Sequence, residues 1–126
     1  MKLTHLFAAA AFCTTSVFAD PHITYAPKDG PGKGKHVVFI SGDEEYRSEE
    51  ALPMLAKILS QRHGFKCTVL FPLDPDGTIN PDNQKSLADS VALDSADAIV
   101  LGLRFRNWPD ADMQRFVSAF ERGVPL

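Results

Sequence analysis

The sequence predicts an α/β fold: a doubly wound parallel sheet with helices on both faces, in three layers. Two observations carry this. The runs Val37–Ile40 (VVFI), Cys67–Phe71 (CTVLF) and Ala98–Leu103 (AIVLGL) are continuously apolar instead of alternating, the pattern of strands buried on both sides. Between and after them lie segments whose apolar residues recur at helical spacing. A length of 126 residues holds one domain. With 44% hydrophobic and 23% charged residues, wholesale disorder and collagen-like structure are excluded. A net charge of −3 gives no nucleic acid a reason to bind, and two cysteines cannot make a disulfide scaffold.

Residues 1–19 read as a signal peptide. Lys2 opens it, Leu6–Cys13 is its short apolar core, and Val17 and Ala19 supply the small residues a signal peptidase accepts. The apolar run is too short for a membrane span, which takes about 20 residues. The protein is therefore expected to be exported, periplasmic or secreted, with no membrane attachment after cleavage. Cys67 is then the one remaining cysteine, so packing alone must hold the core. Residues 20–35, with prolines at 21, 27 and 31 and glycines at 30, 32 and 34, read as a poorly packed linker. The run Gly30–Gly34 cannot be a phosphate loop, because it precedes a strand instead of following one.

The first strand leads into the polar loop Gly42–Arg47, after which Ser48 can cap a helix with Glu49 and Glu50 in its first turn. Leu52, Leu55, Ala56, Leu59 and His63 form its stripe. Pro53 sits early enough to be tolerated, and Gly64 stops the helix. After the second strand comes a turn-rich crossover, Pro72–Pro81, and Asn80-Pro81 is expected to open a short helix through Leu87 and Val91. The third strand is followed by the loop Arg104–Trp108. A helix from Pro109 or Asp110 then carries Met113, Phe116, Val117 and Phe120 on one face, with Gly123 as its stop. Val124–Leu126 resembles the start of a fourth strand. Three parallel strands would leave a thin core and an open edge, so residues 36–126 are expected to be the N-terminal part of a domain with an incomplete C-terminal half.

Ligands of open α/β sheets bind beyond the carboxyl ends of the strands. Two loops reach that edge: Gly42-Asp43-Glu44-Glu45-Tyr46-Arg47-Ser48 and Arg104-Phe105-Arg106-Asn107-Trp108. Together they offer carboxylates for hydroxyl groups, arginines for an anionic or polyhydroxyl ligand, and an aromatic face for a sugar ring. The competing reading is a solvated, salt-bridged pair of loops. Other motifs fail. Asp74, Asp76, Gly77 and Ile79 fit part of a calcium loop, but Pro72 and Asn83 stand where ligands are needed, so a turn is expected. His22, His36 and His63 lack metal-set spacing, and neither a metal nor a cofactor is expected. No Gly-x-Ser-x-Gly elbow exists, and Cys67 reads as a small core residue.

Three stretches, His36–Leu55 (HVVFISGDEEYRSEEALPML), Asp74–Ile79 (DPDGTI) and Leu93–Asp97 (LDSAD) through Leu103–Arg106 (LRFR), together with the final Gly123–Leu126, resemble the trehalose-utilisation (ThuA-like) family. The resemblance runs from about Lys35 to Leu126. It implies a flavodoxin-like sheet similar to that of class I glutamine amidotransferases. In that superfamily the strand beginning near Val124 leads into the nucleophile turn, so no catalytic residue is assigned here. ThuA-like domains lack the amidotransferase cysteine at that turn, which argues against glutamine hydrolysis. The resemblance further implies metabolism of trehalose-related or oxidised sugars, with a small carbohydrate ligand. It makes Gly42, Asp43, Glu44, Tyr46, Arg47, Arg104 and Arg106 the pocket candidates. Two functions follow as expectations: a carbohydrate enzyme with Glu44 or Asp43 as general base, or a non-catalytic carbohydrate-binding or interaction module of a longer exported protein.

Overall fold

The computed structural model describes residues 21–126. The expected signal peptide, and Asp20 at the start of the expected linker, lie outside the described residues. The core is a mixed sheet of four strands: β1 (His22–Tyr25), β2 (His36–Gly42), β3 (Lys66–Leu70) and β4 (Ala98–Leu103), in the order β1-β3-β2-β4. β2 is central and parallel to both β3 and β4. Its seven residues are all buried, as continuous apolar character requires of a strand covered on two sides.

Side chains alternate across the sheet and divide the core in two. Val37, Phe39, Cys67 and Val69 face α1 (Ser48–His63), meeting Leu52 and Ala56. Val38, Ile40, Leu70 and Ile99 face the other way. There they meet Leu93 of a short 3-10 helix (Ser90–Ser95), Trp108, and Ala119 of α2 (Asp110–Glu121). α1 thus covers one face, and the 3-10 helix with α2 covers the other. Burial pushes the Cys67 thiol up to about 11, so it is an inert core group.

Three expectations are corrected. Part of the stretch read as a linker is structured: β1 adds antiparallel to β3, with His22 opposite Leu70 and Tyr25 opposite Cys67. The Thr24 and Thr68 hydroxyls meet at 3.2 Å, and His22 bonds the Asp89 carboxylate. The chain then lies along the end of α1, where Ser60 Oγ donates to the Ala26 carbonyl (2.6 Å) and Gly32 N–H to that of His63 (2.8 Å). Secondly, no helix spans Asn80 to Val91. The Asn80 and Asn83 side chains accept the backbone N–H groups of Asp82 and Lys85, local bonds that compete with a helix, and the 3-10 helix begins only at Ser90. Thirdly, Val124–Leu126 forms no strand, although Pro125 accepts one hydrogen bond from Ile99 N–H on β4 (2.9 Å).

The opposite end of β2 carries a buried polar chain. His36 meets Ser95 Oγ through Nδ1 (3.0 Å) and Thr68 Oγ1 through Nε2 (2.9 Å), and its N–H donates to Asp97 (2.8 Å). Burial, and then nearby Lys66, hold the imidazole below its ordinary 6.5, against the opposing pull of Ser95 and Asp97. The unfolded chain therefore takes up a proton first as pH falls. The contribution of His36 to stability is full above 6.5 and is lost as pH drops from there through the folded value. The thermal midpoint of the protein is expected to fall more steeply than that of His36→Gln below pH 6.5. Parallel curves for the two would contradict a buried neutral imidazole.

Candidate functional site

β2 and β4 run parallel in register, with Gly42 opposite Leu103, so the loops after them leave the sheet at one edge. Arg104 N–H extends the ladder by one bond to the Gly42 carbonyl (3.1 Å). The two loops adjoin there, Glu44 and Glu45 of the first pairing with Arg104 and Arg106 of the second. Gly42 has a physical reason to be glycine: an added Cβ would lie 3.1 Å from both Arg106 Cδ and Leu103 Cδ2.

The first loop is shaped by its own side chains. Asp43 is buried, and its Oδ1 accepts the N–H groups of Glu45 (2.8 Å) and Tyr46 (3.0 Å). Ser48, expected as a helix cap, instead accepts the N–H groups of Gly42 (3.1 Å) and Asp43 (3.0 Å) and bonds Ser41 Oγ (2.9 Å). That arrangement leaves Arg47 as the residue before the helix, in the left-handed region at φ 53° and without a side-chain cap. Its guanidinium pairs with Glu50 of that helix.

The arginines divide the work. The Arg106 side chain is only 5% exposed. Its Nη1 donates to the carbonyls of Pro81 (3.0 Å) and Asn83 (3.3 Å), its Nε to that of Arg104, and its Nη2 to Glu44 Oε2 (3.3 Å). Desolvation lowers the Arg106 guanidinium from its ordinary value, while Glu44, Asp43 and Asp82 act to raise it. Arg106 is a structural tie. Arg104 is more open: it pairs with Glu45, approaches Glu44 Oε1 at 3.9 Å, and lies 4.8 Å over the Phe105 ring. Phe105 is itself left-handed at φ 48° and 68% exposed.

Of the predicted residues, Glu44 and Arg104 meet at the rim, and Tyr46 is exposed on the first loop. Gly42, Asp43 and Arg106 build it, and Arg47 pairs with Glu50. Trp108 is corrected: it is no open sugar platform but a buried core residue, edge-on to Phe116 at 5.8 Å between ring centroids. The exposed aromatics of the two loops are Tyr46 (73%) and Phe105. Two features escape sequence reading. One is the wall formed by residues 81–84, which meets the second loop through Arg106 and through Asn107 N–H on the Gln84 carbonyl (2.8 Å). The other is the pair of left-handed residues flanking the rim. Such backbone strain, about 1–2 kcal/mol each, tends to gather at functional sites and has no signal in residue type.

The segment Asp74–Ile79 is a turn, as expected. Gly77 is at φ 85°, Leu73 bridges Ile79, and the Asp74 carboxylate is occupied by the amides of Asn80 and Asn83. No group of three or more metal-ligating side chains stands together among the described residues. Two surface depressions lie away from the rim, one of about 560 Å³ beside Lys28, Lys33 and Gln61 and one of about 220 Å³ along α1. Comparison with protein-family models, with characterised proteins and with solved structures finds no match to the chain.

Proposed function

We propose that the chain is an exported domain of the trehalose-utilisation kind, built on a three-layer, flavodoxin-like sheet, and that its rim binds a small carbohydrate, trehalose-related or oxidised. One observation carries the reading. Arg104, Glu44 and Glu45 form a compact charged group at the carboxyl edge of parallel strands, with the exposed Phe105 ring against Arg104 and the exposed Tyr46 next in sequence to Glu45. Carboxylates and a guanidinium suit sugar hydroxyls or a sugar carboxylate, and aromatic rings suit its apolar face.

The binding reading is favoured over turnover by the state of the acids. Asp43, one candidate base, already accepts two backbone N–H groups, and Glu44 lies between two arginines. Asp43 Oδ1 is thus engaged in shaping the first loop, and the Glu44 carboxylate in holding the two loops together.

Calorimetric titration with trehalose and its oxidised derivatives tests this. Arg104→Ala is expected to weaken the best ligand about tenfold or more, the loss of one charged hydrogen bond, with the fold intact. A protein that releases no heat with any of these sugars at millimolar concentration would remove the reading.

A further inference from the structure

The chain carries two outward helix faces of opposite charge, and neither belongs to the rim. On α1, Met54, Lys57, Ile58 and Gln61 follow one another at helical spacing, and Met54 is 64% exposed. This stripe lines the smaller depression together with Arg62, and Gln61 links it to the larger one, where Lys28 stands beside Lys33, the latter paired with Asp29 (3.6 Å). The surface is an apolar strip with a basic end.

On α2, Met113, Val117 and Phe120 form the matching outward stripe, and Phe120 is 62% exposed. Asp110 lies one turn before Met113 and Glu121 one turn after Val117. The other charges of this helix and its cap have partners within the chain: Asp112 meets Ser90 Oγ, Arg115 pairs with Asp94 at the surface, and Arg122 donates to the Leu93 carbonyl (2.8 Å). The open charge of the stripe is therefore acidic. Lys57, Arg62, Asp110 and Glu121 have no ion-pair partner among the described residues.

We propose that the protein associates with a second copy of itself, the basic apolar face of α1 on one molecule receiving the acidic apolar face of α2 on the next. α1 and α2 cover opposite faces of the sheet, so the contact is head-to-tail and does not close on two copies. Apolar strips supply the burial, and the charges at their ends set the partner and orientation. Antiparallel docking would bring the basic end of α1 to Asp110 at the start of α2, with the helix dipoles in favourable opposition.

Sedimentation velocity on the full chain, from about 10 to 300 µM, reads this directly. The average mass is expected to rise with concentration beyond two copies, and to fall back when salt is raised from about 0.05 to 0.5 M. Two charge-reversed variants, Lys57→Glu with Arg62→Glu, and Asp110→Lys with Glu121→Lys, change exposed residues only. Each should be monomeric alone, since its two faces then repel. Mixed in equal amounts they should associate again, because each variant's reversed face finds a complement on the other. A wild-type protein that stays monomeric, a mass that levels at two copies, or a mixture that does not associate would each overturn the proposal.

Discussion

Replacing Arg106 with methionine is expected to lower stability by about 3 kcal/mol, with Arg104→Met as the contrasting variant at about 1 kcal/mol or less. The two arginines stand two residues apart and both meet Glu44, yet their surroundings differ. Arg106 is buried, and its donors satisfy the carbonyls of Pro81, Asn83 and Arg104, so removing it strands backbone oxygens at the junction of three segments. Methionine keeps the stem that packs beside Gly42 but supplies no donor. Arg104 faces solvent more openly, and water replaces its contacts to Glu44 and Glu45. Urea denaturation of the three proteins gives the comparison. Equal midpoints for the two variants would mean that the Arg106 contacts do not hold the loops together. Sugar titration of the same variants would separate construction of the rim from the proposed recognition by it: Arg104→Met is expected to lose affinity at near-wild-type stability, and Arg106→Met to lose affinity and stability together.

The parallel part of the sheet was legible because burial on two faces leaves a coarse mark on β2 and β3, whereas β4, equally apolar in sequence, lies at the sheet edge and is mostly half-buried with Leu101 exposed. Convergence of the two loops followed from the same topology, since parallel neighbours send their carboxyl ends to one edge. What escaped reading depends on single contacts. β1 is four residues long and half exposed; Pro21 stands just before it, and the other prolines and the glycines lie after it, in the turn that returns the chain to β2. Composition averaged over residues 20–35 hides such a strand. Trp108 shows the converse limit. A tryptophan in a polar loop has the same composition whether it faces ligand or core, and only its packing on Phe116, eight residues on in α2, decides for the core. The roles of Asp43, Ser48 and Arg106 were invisible for a related reason: residue type says that a group can bond, and the backbone around it says to what.

The attachment of that first segment to α1 gives the second large effect, at Gly64. This residue ends α1 at φ 77°, and a Cβ there would lie 2.7 Å from both Gly30 N and the Lys28 carbonyl oxygen. Alanine would thus meet two obstacles, the left-handed backbone at about 1 kcal/mol and a clash with backbone that has no rotamer to yield, at about 1–3 kcal/mol. Gly34 isolates the first. It has φ 81° and no neighbouring atom within 4 Å of its would-be Cβ, so Gly34→Ala should cost only the conformational part. Gly64→Ala is therefore expected to be less stable than Gly34→Ala by about 1–3 kcal/mol, roughly 4–8 °C in thermal midpoint for each kcal/mol in a domain of this size. Both substitutions narrow the unfolded chain alike, so the difference reads the native contact alone. Were the two variants to melt together, the stretch from Ala26 to Gly32 would not be pressed against α1. The hydrogen bonds from Ser60 and Gly32 would then contribute nothing, and β1 would be tied to the domain by β3 alone.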